Sequence, residues 1–124
     1  MSVYWTSQDR TSPSLSNCSH LVEIYLDSNN FHGVVPSEFS SLRDLQVLSL
    51  GKNWLTGRIP STIASLVNLK KLVLRYNNMT GEIPTEIGSL ANLNVLNLGA
   101  NQFSGTFPGS GKPLSVDDSL CFQN

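Results

Sequence analysis

The stretch Leu69-Lys-Lys-Leu-Val-Leu-Arg-Tyr-Asn-Asn-Met-Thr-Gly-Glu-Ile-Pro84 decides the fold, because the chain repeats its pattern on both sides. A shift of 24 residues superimposes this stretch on 45–60, and the same shift leads to 21–36 and to 93–108. Self-similarity at a fixed period of this length is the sequence signature of a stacked repeat protein. The sequence therefore predicts a solenoid of four similar units.

Each unit reads LxxLxLxxNxLxGxIPxxIxxLxx with conservative variation. The asparagine column is Asn29, Asn53, Asn77 and Asn101. The glycine column is Gly33, Gly57, Gly81 and Gly105, and the proline column is Pro36, Pro60, Pro84 and Pro108. The predicted solenoid covers 12–108, with a partial repeat at 12–20 and repeats at 21–44, 45–68, 69–92 and 93–108. It is preceded by a non-repeat segment at 1–11 and followed by a flexible tail at 109–124.

The columns have a physical reading. The LxL stretch alternates with the period of a strand, so stacked units form a parallel sheet with strands about 4.8 Å apart. The asparagine amides both donate and accept, which suits them to pair backbone groups inside the turn after the strand. Proline then fixes φ, and the xxIxxLxx segment fits a short 3₁₀ or α-helical turn on the convex side.

Three segments resemble one class of known proteins: Leu-Thr-Gly-Arg-Ile-Pro (55–60), Met-Thr-Gly-Glu-Ile-Pro (79–84) and Ser-Leu-Ser-Asn-Cys-Ser-His-Leu (14–21). They resemble the plant-specific leucine-rich repeats of receptor-like kinase and receptor-like protein ectodomains. The resemblance implies an α/β fold, a right-handed horseshoe segment with a concave parallel sheet, a second short strand and convex 3₁₀ turns. It implies a non-enzymatic module outside the plasma membrane or in the apoplast that binds a protein or peptide ligand or a co-receptor.

Two interpretations of that role stay open. In the first, the chain is a piece of a longer receptor-type ectodomain, and any kinase activity belongs to the parent. In the second, it is a stand-alone repeat protein that binds or inhibits another protein, as polygalacturonase-inhibiting proteins do. Paired capping cysteines, a membrane span and kinase motifs do not occur in the sequence, which favours the first interpretation.

Outward positions around the strand leucines define a candidate ligand surface on the concave face. The candidate residues are Glu23, Tyr25, Asp27, Lys52, Lys71, Arg75, Tyr76 and Asn97. Their charge is acidic in the first repeat and basic in the third. Tyr25, Arg75 and Tyr76 are the expected anchors, since aromatic residues and arginine dominate binding hot spots. The alternative is that this is ordinary solvated sheet surface.

Two short motifs predict covalent modification. Asn17-Cys18-Ser19 and Asn78-Met79-Thr80 match the acceptor pattern for N-glycosylation. Asn78 is expected to be exposed beside the buried Asn77. Cys18 and Cys121 are interpreted as two unpaired thiols, with a disulfide between them as the alternative.

Bulk properties exclude other functions. The net charge is -1, which gives no reason to expect nucleic acid or an anionic membrane as a partner. No apolar run approaches the roughly 18 residues of a membrane span. Gly109-Ser-Gly-Lys112 fails the phosphate-loop pattern, and His20 and His32 have no cysteine pair at zinc spacing, so we expect no cofactor and no metal.

Overall fold

The computed structural model describes residues 2–4, 21–106 and 119–121, and within them the repeat forms one rung after another. Each rung begins with a three-residue strand, turns at its asparagine and forms a second short strand, and the first three rungs return through a 3₁₀ helix. The first strands are β2 (Glu23–Tyr25), β4 (Val47–Ser49), β6 (Lys71–Val73) and β8 (Val95–Asn97). The second strands are β3 (His32–Gly33), β5 (Trp54–Gly57), β7 (Asn78–Glu82) and β9 (Gln102–Ser104). The 3₁₀ helices span Ser37–Ser41, Ser61–Ser65 and Thr85–Ser89.

The first strands form a parallel sheet in the register that the repeat predicts. Leu48 in β4 lies opposite Leu72 in β6, and Leu72 lies opposite Leu96 in β8. The second strands form a separate parallel sheet in the order β3-β5-β7-β9. Two parallel sheets joined by short 3₁₀ turns are the architecture of a leucine-rich-repeat solenoid, so the predicted fold class is confirmed.

The core is built from columns of aliphatic side chains that stack from rung to rung. The leucines at the centres of three first strands, Leu48, Leu72 and Leu96, are each 0% exposed. The residues before and after each of these leucines point to the other face of the sheet. Burial of one such side chain contributes roughly 1.5–3 kcal/mol. A single rung has no second layer of its own, so this stabilisation arises only when rungs stack.

The turn after each first strand is closed by its asparagine, as Asn77 illustrates. The Asn77 Nδ2 group donates to the carbonyls of Leu50, Leu74 and Arg75 at 3.1, 3.0 and 3.3 Å. Its Oδ1 accepts from the backbone N–H of Leu55 at 3.0 Å. The side chain is only 7% exposed, so water does not replace these partners. One amide thereby satisfies backbone groups of two successive rungs.

The return segment begins at a proline. Pro60 has φ -67° and ψ 136°, an extended conformation that proline adopts without strain, and the 3₁₀ helix Ser61–Ser65 follows. Ile63 is the buried residue of that helix, and Ile87 occupies the same position one rung later. The predicted short helical turn is thus a 3₁₀ helix in each of these rungs.

Both ends of the first sheet carry a further strand that the repeat pattern missed. β1 (Ser2–Tyr4) pairs in parallel with β2, and β10 (Ser119–Cys121) pairs antiparallel with β8. Within the segment 109–124, which the sequence predicts to be a flexible tail, Ser119–Cys121 forms this strand, and its backbone pairing with the edge of β8 satisfies groups that would otherwise need water. β1 likewise places part of 1–11 in the sheet. The remaining boundaries stay predictions.

Candidate ligand-binding surface

The outward residues of the first sheet form rows that run across the strands. Glu23 and Tyr25 flank the buried Ile24 in β2 and are half-buried on the opposite face, where the Tyr25 hydroxyl donates to Glu23 Oε2 at 3.3 Å. The register aligns Glu23 with Val47, which in turn aligns with the exposed Lys71. A row that is acidic in β2 is therefore basic in β6, two strand spacings or about 10 Å away.

The middle row of the concave face is tightly packed. It contains Tyr25, Ser49, Val73 and Asn97, which pair in register from β2 to β8. Ser49 and Val73 are 6% and 7% exposed, while Tyr25 and Asn97 are half-buried. The centre of the concave face is therefore closely packed, and a ligand can contact the face mainly through the residues on either side of this row.

The third row lies two residues past the strand ends, where Asp27 is held by hydrogen bonds to the next repeat. Asp27 Oδ1 accepts from the Ser49 hydroxyl and from the Gly51 N–H, both at 2.9 Å. Arg75 is exposed on the other side of Gly51, and its Cγ lies 3.2 Å from where a Cβ on Gly51 would stand. Glycine at 51 therefore lets an acidic and a basic side chain approach the same space above the sheet.

Lys52 and Tyr76, which the sequence pattern assigns to the concave face, lie three residues past the ends of β4 and β6. Both have φ 57°, and Ser28 and Ala100 share this left-handed conformation with φ 60° and 54°. These residues end the sheet: the Tyr76 N–H still bonds the Gly99 carbonyl at 3.0 Å, and the chain then turns into the asparagine. Their side chains consequently border a second feature beside the concave face.

That feature is a groove of about 520 Å³ along the turns, which we call the turn groove. The groove is lined by the residues with a left-handed backbone conformation, by members of the asparagine column, and by the residues that follow these asparagines. Its exposed members include Asn30, Lys52, Trp54, Tyr76 and Asn78. Arg75 also reaches toward this side, with its guanidinium carbon 4.7 Å from the Tyr76 ring centroid, and Lys52 Nζ lies 6.0 Å from the same centroid.

Sequence reasoning missed Trp54. It is 55% exposed in the turn groove, whereas the predicted anchor Tyr25 is half-buried. A sequence comparison of the repeats could have identified it. The position after each residue of the asparagine column holds Asn30, Trp54, Asn78 and Gln102, and each of these residues is exposed. Tryptophan is enriched in binding hot spots, so this exposed aromatic residue in an otherwise polar column is a further candidate contact residue.

The two sequons lie in different parts of the chain. Asn78 and Thr80 are exposed on β7, and Met79 between them is 0% exposed in the core. Three residues named in these predictions lie outside the described part of the chain: Asn17, Cys18 and His20. Whether Cys18 and Cys121 are unpaired thiols or form a disulfide therefore stays a prediction. Glycosylation at either asparagine stays a prediction.

Metal clusters and membrane spans are absent from the described part of the chain. Within 2–4, 21–106 and 119–121, no three His, Cys, Asp or Glu side chains come together in a way that could hold a metal ion. Within the same residues, no helix has the length and apolar character to cross a membrane.

Comparison with known families agrees with the architecture. The family described as Leucine rich repeat matches residues 19–79, and a second family of the same description matches residues 92–114. Together these segments cover more than half of the chain. The chain belongs to the leucine-rich repeat family, whose solenoids are recognition modules.

Similarity to individual proteins points to plant receptors. A probable LRR receptor-like serine/threonine-protein kinase of Arabidopsis thaliana is 51% identical over 41 residues, which are 33% of this chain and 4% of that protein. A chain in the crystal structure of the BIR3–SERK2 complex from Arabidopsis thaliana has a TM-score of 0.74 at 33% identity, covering 87% of this chain and 55% of that one. The plant peptide hormone receptor RGFR1 in complex with RGF2 has a TM-score of 0.73 at 36% identity, covering 86% and 16%.

The chain is therefore a leucine-rich repeat domain that is similar to plant receptor ectodomains. It spans about half the length of the matched chain in the BIR3–SERK2 complex, and a far smaller part of the receptor kinase. The similarity to that kinase is confined to a short stretch and carries no kinase activity over to this chain.

Proposed function

We propose that this chain contributes to the recognition of an extracellular polypeptide, as part of a receptor-kinase-type ectodomain. The ligand is a peptide or the surface segment of a co-receptor, and it lies across the strands of the concave face. The observation that carries the proposal is the separation of charge on that face: Glu23 and Asp27 lie at one side, and Lys71 and Arg75 lie two strands away. The repeat family and its peptide-binding members support this class of ligand.

The spacing of these charges specifies what the ligand carries. The strands that carry Glu23 and Lys71 are about 10 Å apart, which an extended peptide spans with about three residues. A basic side chain facing Glu23 and an acidic side chain or terminal carboxylate facing Lys71 would match them. Asp27 and Arg75 lie closer together, on either side of the space over Gly51. Arginine binds carboxylates in a bidentate manner, so the basic side is the one that fixes direction.

Asp27 is suited to its role because it is preorganised. Its Oδ1 is held by the Ser49 hydroxyl and the Gly51 N–H, so the carboxylate is oriented before any ligand arrives. Holding a side chain in its bound conformation reduces the entropy that association costs. The same geometry leaves the second carboxylate oxygen for a ligand cation.

The proposal is tested with synthetic peptides and the full 124-residue chain. Extended peptides carry Lys and Asp about three residues apart, and a second set carries them in reversed order. We expect one order to bind more tightly and Arg75→Glu to weaken it about tenfold or more. Arg43→Glu is the matched control, because Arg43 is an exposed arginine beyond the 3₁₀ helix and away from the concave face. Equal binding of both orders, or equal loss in both variants, would refute the proposal.

Secretion is tested separately. We expect the native protein in the apoplast or on the outer side of the plasma membrane, which detection of the endogenous chain in plant extracellular fluid or at the cell surface would support. Retention inside the cell would contradict the extracellular role while leaving the peptide measurement valid.

A further inference from the structure

Asn78 and the two exposed aromatic residues of the turn groove lie together. Tyr76 precedes Asn78 by two residues and is 47% exposed, and Trp54 on the neighbouring rung is 55% exposed. All three line the same groove. Large exposed aromatic side chains on a soluble protein call for an explanation, and the concave-face ligand proposed above does not provide one.

The acceptor geometry at Asn78 is compatible with the folded rung. Residues alternate across β7, so Asn78 and Thr80 face outward while the fully buried Met79 anchors the strand in the core. The strand is fixed on both sides, since Asn78 pairs with Thr56 of β5 and Thr80 pairs with Gln102 of β9. A glycan attached to Asn78 Nδ2 therefore leaves the core and both strand pairings intact.

We propose that Asn78 carries an N-linked glycan in the secreted protein, and that its first sugar lies in the turn groove against Tyr76 and Trp54. In the transfer, Asn78 Nδ2 forms a bond to C1 of an oligosaccharide linked to a lipid pyrophosphate. The bond from C1 to the pyrophosphate oxygen breaks, its electron pair leaves with the lipid pyrophosphate, and the proton lost by Nδ2 is released to water. The co-reactant is the lipid-linked oligosaccharide of the secretory pathway, so the inference rests on the proposed extracellular role.

The chemistry of the groove suits a sugar. One face of a pyranose presents C–H groups, which pack on the electron-rich face of an aromatic ring. Its hydroxyl groups can bond the exposed Asn30 side chain and the Lys52 ammonium, both of which line the groove. The glycan would thus cover apolar surface that otherwise faces water and would leave the concave face open.

This assignment divides two roles that the sequence pattern combines. Tyr76 is then a glycan contact, whereas Asp27 remains with the polypeptide ligand. Arg75 borders both surfaces, because its guanidinium carbon lies 4.7 Å from the Tyr76 ring centroid.

The first test is attachment. The full chain with an added secretion signal is produced in plant cells, and intact mass and glycopeptide mapping are measured for the unsubstituted chain, Asn78→Gln and Asn17→Gln. We expect a glycan mass on the peptide containing Asn78 that disappears in Asn78→Gln and persists in Asn17→Gln. A secreted, folded protein with unmodified Asn78 would overturn the proposal.

The second test is the position of the sugar. The sequence has 2 tryptophans, so Trp5→Phe leaves Trp54 as the only one. In that background we expect acrylamide to quench Trp54 fluorescence less in the glycosylated chain than in Asn78→Gln, and Tyr76→Ala to return quenching part of the way. Equal quenching with and without the glycan would show that the sugar extends into solvent. That result would overturn the proposed position of the first sugar in the turn groove.

The two proposals fail separately. Peptide binding to Arg75 is measured on unglycosylated chain from bacteria and on glycosylated chain. Loss of the peptide-order preference in both preparations would refute the concave-face function alone. Weaker peptide binding confined to the glycosylated chain would support a glycan beside Tyr76, next to the Arg75 guanidinium.

Discussion

The carboxylate of Asp27 accepts a hydrogen bond from the backbone N–H of Gly51 in the next repeat, at 2.9 Å. A Cβ on residue 51 would stand 3.0 Å from that carboxylate oxygen and 3.2 Å from the carbonyl oxygen of Arg75. We therefore expect Gly51→Ala to lower the free energy of unfolding by about 1–3 kcal/mol through overpacking. It should also displace Asp27 and weaken binding of the preferred charged peptide. Urea denaturation and peptide titration measure the two effects.

Gly33→Ala provides the comparison for this prediction. Gly33 has φ +85° and no atom within 4 Å of where its Cβ would stand, so its substitution strains the backbone without crowding a neighbour. We expect a cost of about 1–2 kcal/mol with no change in peptide binding. If Gly51→Ala kept full peptide affinity, the positioning of Asp27 by Gly51 would be unnecessary for recognition.

The asparagine column gives the second prediction. Replacing Asn77 with alanine leaves the N–H of Leu55 without its side-chain acceptor in a buried turn. The carbonyls of Leu50 and Leu74 lose one donor each but keep Asn53 and Asn101. We expect Asn77→Ala to destabilise the chain by roughly 1–3 kcal/mol, which is the cost of one unsatisfied buried group. Thermal unfolding followed by circular dichroism measures this loss.

Asn78→Ala is the matched control for Asn77→Ala, measured on bacterial material without glycan. It removes the same side chain from the adjacent, exposed position, and surface substitutions of this kind change stability by about 0.5 kcal/mol or less. If the two variants lost similar amounts of stability, the hydrogen bonds of the asparagine column would not determine the stability of the turn.

The aliphatic columns give the third prediction. Leu72 is 0% exposed and lies between Leu48 and Leu96 in the sheet, so Leu72→Ala opens a cavity inside the stack. We expect a loss of about 2–5 kcal/mol in the free energy of unfolding. Val67→Ala, at a side chain that is 58% exposed, should cost about 0.5 kcal/mol or less. A small effect at Leu72 would contradict the stacked core.

Most of the fold is predictable because it depends on a period. The shift of 24 residues fixes which leucines meet, and the register of Leu48 with Leu72 follows from it directly. The first strand shows the limit of that argument. Ser2 pairs with Glu23, a separation of 21 residues, so the standard shift aligns the wrong positions near the N-terminus.

The ends and the turn groove are not predictable from the period for different reasons. β10 runs antiparallel to β8, and a single reversed strand leaves no repeat in the sequence. The turn groove depends on the left-handed backbone of Lys52 and Tyr76, residues for which a positive φ is uncommon. Propensity gives no reason to expect that conformation, so the pattern places Tyr76 on the concave face and gives Trp54 no role.

The final prediction concerns the pairing of β10 with β8. Proline has no N–H to donate, and consecutive N–H groups of a strand point to opposite sides. The double substitution Ser119→Pro and Leu120→Pro therefore removes one donor on the β8 side whichever residue supplies it. An unpaired β8 edge is a template for another chain. We expect concentration-dependent association in sedimentation velocity and faster amide hydrogen exchange in Val95–Asn97, while Leu120→Val leaves both unchanged. A monomer with unchanged exchange would show that β10 does not protect this edge.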